Sequence, residues 1–430
     1  MRNKIKTNKK NIVILGSGFC GLHAAKRLAK NLRGNTNYQI ILVDRRDATV
    51  YNGELYEISS AYNKRITAAC LRVLKECVST SISQVLQGLE VIFVKDSVTG
   101  IDPKSKKVVL QTGGELPYEF LVLALGSVTN FYGIPGLEEH SYPMKTLEDA
   151  LALNCHFDQF FQERWRASKE GGKSHQKVHI VVGGGGFTGV EFACELMGCI
   201  KKLARKYKFK TSEVSISIVQ GSKEFVGLGE TVSSYAYKRF KKLEIHPVTG
   251  GRIASYDGKI VSLSMGDGSK KDMPADILVW TGGIKPNPLL KSFEILDPSG
   301  AMEVHQNLES PHYPGVYAGG DAAAIFDPRT GNLVPKLALM AIPEGNLIAD
   351  NIAARINGNP QKMFVPFLKG FLIPMGGKYF VYNKGRVTFG GFIPYIMRRI
   401  IDLYYYMSLL PAAAAFRKWK HTETIFIQND

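Results

Sequence analysis

The chain has 430 residues, of which 45% are hydrophobic, enough for two to three domains each with its own core; this excludes a disordered or low-complexity protein. Its formal charge is +17 and no acid precedes Asp44, so an anionic neighbour is expected. Nucleic acid is set aside for want of a recognition helix, a zinc-ligand spacing or a basic-aromatic repeat, which leaves a membrane surface or phosphate-bearing small molecules.

The first ten residues, Met1 to Lys10, are basic and lack the apolar stretch of a secretory signal. Asn11 to Leu15 then reads as a buried strand that ends in Gly16-Ser17-Gly18-Phe19-Cys20-Gly21. A helical pattern follows through Leu28, and a second apolar strand, Gln39 to Val43, ends in Asp44. Val91 to Val94, Lys107 to Leu110 and Phe120 to Leu125 are further strands, the last closing on Gly126, and Gly133-Ile134-Pro135-Gly136 is a crossover. An amphipathic helix spans Glu148 to Arg166 and runs into Gly171-Gly172-Lys173, a flexible connector.

The opening pattern then repeats. Strand Lys177 to Val182 leads to Gly184-Gly185-Gly186-Phe187-Thr188-Gly189, 168 residues after the first turn, then to a helix ending near Lys206 and a strand, Ser215 to Val219, that ends in Gln220. Strand Ile277 to Trp280 gives way to Thr281-Gly282-Gly283, and Lys285-Pro286-Asn287-Pro288 returns the chain toward its first domain. Gly315 to Tyr317 enters Ala318-Gly319-Gly320-Asp321, a helix covers Leu337 to Ile356, and strands Tyr379 to Tyr382 and Arg386 to Phe389 precede an aromatic, basic tail. Nowhere do about 18 apolar residues run uninterrupted, so no spanning helix is expected.

Six scattered cysteines suit a reducing compartment rather than a disulfide framework. Cys194 and Cys199 fall on the helix after the second turn, about 140° apart in direction, and Cys70 and Cys77 lie two helical turns apart; neither pair is placed to bridge.

Each glycine turn has a physical logic. Gly16 permits the bend, Gly18 lets backbone N–H groups approach a pyrophosphate, and Gly21 lets the helix pack on the strand; Gly184, Gly186 and Gly189 repeat this. Asp44, 23 residues past Gly21, can accept from ribose hydroxyls. The fold class is therefore α/β, with two Rossmann-like dinucleotide-binding domains, one inserted within the other, and a C-terminal helical segment.

The order of glycine turn, Asp44, second glycine turn and Tyr317-Ala318-Gly319-Gly320-Asp321 resembles the two-dinucleotide flavoproteins. Leu55-Tyr56-Glu57, Ala124-Leu125-Gly126-Ser127, Phe187-Thr188-Gly189-Val190-Glu191, Trp280-Thr281-Gly282-Gly283 and the charged aromatic tail are similar to type II NADH dehydrogenases, the single-chain NADH:quinone oxidoreductases, over nearly all of residues 11–420. The resemblance implies FAD bound through Gly16, Gly18, Phe19, Gly21, Asp44, Ala124, Gly126, Gly320 and Asp321, in a discontinuous domain of residues 8–145 and 286–358. It implies NADH or NADPH bound through Gly184, Gly186, Phe187, Gly189, Gln220 and Gly282, in a domain of residues 146–285. Residues 359–430 would form C-terminal strands and a segment for membrane anchoring or dimerisation. The nicotinamide would give a hydride to FAD and two electrons would pass to a membrane quinone, without proton pumping, in a peripheral protein on the cytoplasmic side of the cell membrane, expected as a homodimer.

Glu191 is the catalytic candidate, a proton relay by family likeness or, alternatively, a surface acid placed in the first helical turn for the dipole. The helix after Pro335-Lys336 resembles the one that faces flavin and quinone, yet the family's Ala-Gln-x-Ala-x-Gln-x-Gly stands here as Ala338-Leu339-Met340-Ala341-Ile342-Pro343-Glu344-Gly345, without either glutamine. Leu339, Ala341 and Pro343 remain quinone-site candidates, and Pro343 is expected to kink or restart the helix. Gln220, with Lys223 three residues on, lacks the charge that would repel a 2′-phosphate, so NADPH should be tolerated.

Lys384 to Lys420 carries seven basic residues and one acid, Asp402. Ile396, Ile400, Leu403, Met407 and Leu410 make one helical stripe, with Arg398, Asp402 and Tyr405 opposite, and Tyr404, Tyr405, Tyr406 and Trp419 suit a bilayer interface. The stripe is read as an interfacial anchor, with core packing or a dimer contact as the competing reading. Rival functions are a ferredoxin-type reductase and a redox-sensing flavoprotein resembling apoptosis-inducing factor. Disulfide reductases are disfavoured because residues 45–60 hold no Cys, and sulfide:quinone oxidoreductases because none follows Cys199.

Overall fold

The computed structural model describes residue 5 and residues 8–62, 66–170 and 177–427; most of the amino-terminal basic arm and the connector at 171–173 lie outside the described residues. The chain divides into two compact units, one of Met1–Val50, Ser79–Val128 and Ile284–Leu368, the other of Tyr51–Val78, Thr129–Gly283 and Lys369–Asp430. Residues 51–78 and the C-terminal segment, expected respectively within the first nucleotide domain and as a separate appendage, both group with the second unit.

In the first unit, five parallel strands stand in the order Val316–Ala318, Phe120–Leu123, Lys10–Leu15, Tyr38–Asp44, Val91–Lys95. The chain enters at the middle of this sheet and its order reverses between Lys10–Leu15 and Phe120–Leu123, which is where a doubly wound sheet opens a crevice for a nucleotide. Ile12 to Leu15 and Phe120 to Leu123 are buried without alternation, the pattern of a parallel sheet covered on both faces. One such helix, Phe19–Asn31, lies along a second, Ala338–Ile356, and Gly345 allows the close approach: a side chain there would collide with the Cys20 backbone. Arg27 then clamps the pair with two hydrogen bonds to Asp350, at 2.7 and 3.1 Å.

The helix does not restart at Pro343 but runs continuously from Ala338 to Ile356, so that part of the expectation is corrected. A proline at the sixth helical position removes one backbone hydrogen bond near the amino end, and beyond it Gly345 and Asp350 pack the helix on its neighbour.

The second unit repeats the plan, with parallel strands in the order Tyr142–Pro143, Ile277–Trp280, Val178–Gly183, Val214–Gln220, Ile245–Thr249. Its core is aromatic: Phe157, Phe161, Phe192, Phe225 and Phe240 are buried between the sheet and its helices. Each unit also carries a three-stranded antiparallel sheet, Val98–Asp102, Lys107–Leu110 and Gly114–Pro117 in the first, Gly251–Tyr256, Ile260–Met265 and Lys270–Pro274 in the second. The C-terminal part of the second unit adds Phe371–Pro374, Phe380–Lys384 and Val387–Gly391, then two helices, Phe392–Leu409 and Ala412–Phe426.

The helix Phe392–Leu409 is turned inside out relative to an ordinary surface helix. Its polar residues Arg399, Asp402 and Tyr405 are buried, whereas Ile393, Ile400 and Tyr404 are 67%, 62% and 75% exposed and Ile396 and Met407 are exposed beside them. Packing of that stripe into the unit's own core is thereby excluded. Among the described residues, no helix is long and apolar enough to cross a membrane, and all six cysteines are unpaired.

Candidate functional site

In the first unit the glycine turn is locked to the strand beside it. Gly16 has φ +98°, and a side chain there would strike the Ala124 carbonyl; at Gly21 it would strike the Gly16 carbonyl. Gly18 by contrast faces open space, with nothing within 4 Å of where a Cβ would be. The helix beginning at Phe19 has no side-chain cap and no acid in its first turn, so its amino-terminal N–H groups and positive dipole end are left to an anion. The contrast with helix Leu147–Lys169 is direct, since there Thr146 and Asp149 form a capping box. An open cradle at Gly18 above an uncapped helix fits the diphosphate of a dinucleotide.

Asp44 accepts from the Ser17 N–H and hydroxyl, both at 2.7 Å, through one carboxylate oxygen and from Arg46 N–H at 2.9 Å through the other. Phe19 contributes its backbone, whose carbonyl lies 2.7 Å from His23 Nδ1. At the other edge of the crevice Gly126 adopts φ +67°, and Ser127 Oγ donates to Asp321, which sits beside Gly320 at φ +64°. The amino-terminal and late-chain residues of the expected flavin site are thus gathered around one sheet end.

Two residues of this unit escaped the sequence reading. Glu344 is buried and accepts from Gly320 N–H at 2.6 Å. Burial pushes its carboxyl up to about 7, against the Gly320 hydrogen bond and Lys336. The Lys336 ammonium, itself lowered by burial, donates to the Ala323 carbonyl. A Lys just before an apolar helix and a Glu within it were the available signal. Leu339 and Pro343 share one exposed helical face, whereas Ala341 is buried on the other side, beneath Gly320; the three quinone-site candidates do not line one surface.

The second unit builds the same turn. Gly184 has φ +110° and abuts Gly282, a side chain on Gly189 would strike the Gly184 carbonyl, and Gly186 faces open space. The helix Phe187–Tyr207 is again uncapped with no acid in its first turn. Gly282 must lack a side chain because the Trp280 ring lies against it. Phe187 packs its ring on Phe371, 5.5 Å between centroids, and therefore contributes backbone rather than ring to the turn. Gln220 Oε1 accepts from Gly185 N–H at 3.0 Å, in the place where Asp44 serves Ser17 in the first unit.

Glu191 is the fifth residue of its helix, past the first turn, so its expected placement for the dipole is corrected. Burial dominates instead: desolvation raises its carboxyl to about 7, opposed by the charge of Arg398. Arg398 donates to Asp402 at 2.8 Å and to the Gly53 carbonyl at 3.0 Å, and Tyr51 donates to the same Asp402 oxygen at 2.6 Å. Beside it, Arg399 donates from one nitrogen to Glu54, Asp402 and Glu423 at 3.1, 3.3 and 3.0 Å, filling with its own cation a carboxylate triad that could otherwise hold a metal. Residues near Tyr51 and the terminal helices are thereby joined over separations that no local pattern in the sequence betrays.

Two dinucleotide cradles, each with its own glycine turn and uncapped helix, define a class of protein that handles paired redox nucleotides. The model of the pyridine nucleotide-disulphide oxidoreductase family matches residues 10–345, and the chain belongs to that family. Among curated proteins it is 28% identical to the type II NADH:quinone oxidoreductase of Staphylococcus aureus over 420 residues, 96% of this chain and 99% of that one. Among solved structures it is similar to NDH2 from Plasmodium falciparum in complex with NADH, with a TM-score of 0.80, 18% identity and coverage of 98% of each chain. It is also similar to the sulfide:quinone oxidoreductase of Aquifex aeolicus, with a TM-score of 0.75, 20% identity and coverage of 93% of this chain and 91% of that one. These structural likenesses agree on the fold.

Proposed function

We propose that the protein is a type II NAD(P)H:quinone oxidoreductase that works at a membrane surface. Bound FAD would supply a two-electron relay between the nicotinamide and the quinone. In the first unit, Gly16, Gly18 and the helix start at Phe19 hold its diphosphate, and Asp321 and Ser127 its ribityl-phosphate side. In the second unit, Gly184, Gly186 and Gly189 hold the nicotinamide dinucleotide. Glu191, with a carboxyl raised to about 7, is suited to hold or release a proton near neutral pH, when a quinone must take up two.

The observation that carries the lipid-soluble acceptor is the outward apolar face of helix Phe392–Leu409, where Ile393, Ile400 and Tyr404 stand exposed over a buried ionic base. An exposed face of this kind suits a helix lying in the bilayer interface, and the exposed basic residues Lys384, Arg386, Arg417 and Lys420 would strengthen it by about 1 kcal/mol each near anionic lipid. Attachment at the cytoplasmic side and assembly as a homodimer belong to the same reading. The test is steady-state turnover of purified protein with NADH and a soluble short-chain quinone. Sustained NADH oxidation coupled to quinol formation is expected; NADH oxidation that proceeds with an acidic ferredoxin-type protein but not with quinone would replace this reading.

A further inference from the structure

The carboxyl end of strand Val214–Gln220 is the place where an inserted dinucleotide domain reads the adenosine ribose. Gln220 cannot do so, because its oxygen accepts from Gly185 N–H at 3.0 Å and its two amide hydrogens go to Ser222 Oγ at 2.9 Å and the Glu224 carbonyl at 3.2 Å. Ser222 in turn donates its hydroxyl to the Glu224 carbonyl at 2.8 Å. The side chains of Gln220 and Ser222 are thus spent on the loop itself, and the strand ends in an amide instead of a carboxylate.

Two cations remain. Gln220 pairs in register with Thr249, and the chain turns from there into Arg252, whose side chain lies back across Gly221. A Cβ on Gly221 would stand 3.2 Å from Arg252 Cγ, 3.4 Å from Nε and 3.9 Å from Cδ, so the guanidinium stem crosses the strand end in tight contact with this glycine. Lys223 is two residues beyond that glycine, on the same loop. Both side chains are exposed, and neither makes an ion pair among the described residues.

We infer that Arg252 and Lys223 form an anion subsite at this strand end that takes the 2′-phosphate of NADPH. Discrimination between the two nicotinamide nucleotides then rests on these cations, and Gln220 shapes the turn instead of reading the ribose. Arg252 is the stronger partner, since a guanidinium can meet a phosphate with two parallel hydrogen bonds. The inference rests on the second glycine turn being the pyridine-nucleotide site.

The test is calorimetric titration of the FAD-loaded protein with 5′-AMP and with adenosine 2′,5′-bisphosphate, which share the adenosine and differ by the 2′-phosphate. The bisphosphate is expected to bind about tenfold more tightly, the scale of one charge-assisted contact, with the advantage eroding as salt rises. Arg252→Ala should lose most of that advantage, Arg252→Ala combined with Lys223→Ala should abolish it, both should leave 5′-AMP binding unchanged, and Arg252→Lys should restore part of it. Retained FAD and unchanged 5′-AMP affinity show that the variants remain folded. Equal binding of the two nucleotides by the parent protein, or an advantage that survives in the double variant, would overturn the inference. If neither nucleotide bound, the failure would lie in the assignment of the turn itself.

Discussion

Glu191 and Asp44 show how much a single carboxylate depends on what surrounds it. Asp44 is held by the Ser17 N–H and hydroxyl and stays at a strand end, where its type and spacing made it readable beforehand. Glu191 was equally visible as part of Phe187-Thr188-Gly189-Val190-Glu191, but its environment was not, because Arg398 comes from a helix some 200 residues on, as the numbering gives. The consequence is a pH dependence. Folding raises the Glu191 carboxyl from its ordinary range to about 7, so the folded chain binds the proton more tightly and this group's contribution to stability declines as pH rises through that window. A step that takes the proton from Glu191 should slow above pH 7, approaching about tenfold per pH unit. Stopped-flow measurement of quinone-dependent flavin reoxidation should show this inflection in the parent protein and lose it in Glu191→Gln; an identical profile in both would remove Glu191 from proton delivery.

At the scale of elements, strands with an apolar run were legible and polar ones were not. Lys107–Leu110 and Ile277–Trp280 fall at the residues expected from their apolar runs. The antiparallel sheet Gly251–Pro274 carries Arg252, Ser262, Ser264 and Lys270 to Asp272 and offered no such run. The terminal helix is a mixed case: its apolar stripe could be read, but its buried ionic base could not, since Arg399 meets Glu54 across 345 residues. Arg399→Met would leave Glu54, Asp402 and Glu423 crowded without their cation and should cost about 3–5 kcal/mol, read as a lowered thermal midpoint. Replacing Ile393, Ile400 and Tyr404 together by Ser touches the exposed face alone. The thermal midpoint should then hold while cosedimentation with anionic phospholipid vesicles falls sharply; unchanged vesicle binding would refute the anchor.

For the whole molecule the decisive feature is duplication. The two glycine turns lie in two units with the same strand order and the same steric reasons for their glycines, which is why their function as a pair was legible while the division of residues between units was not. Tyr51–Val78 joins the second unit through contacts with the C-terminal helices, a long-range grouping that sequence order conceals. The assignment of one nucleotide to each turn predicts separable defects. Gly21→Ala, which must displace the Gly16 carbonyl, should deplete FAD from purified protein, and Gly189→Ala should leave FAD in place while weakening NADH binding. Loss of FAD in both variants would contradict that separation.

The central claim, that this chain moves electrons from a nicotinamide nucleotide through its flavin to a quinone, is tested most directly by anaerobic titration of the FAD-loaded protein. One equivalent of NADH should bleach the oxidised flavin's visible absorption, and a soluble quinone added without oxygen should restore it with formation of one equivalent of quinol. A flavin that NADH reduces and quinone leaves reduced would contradict the account.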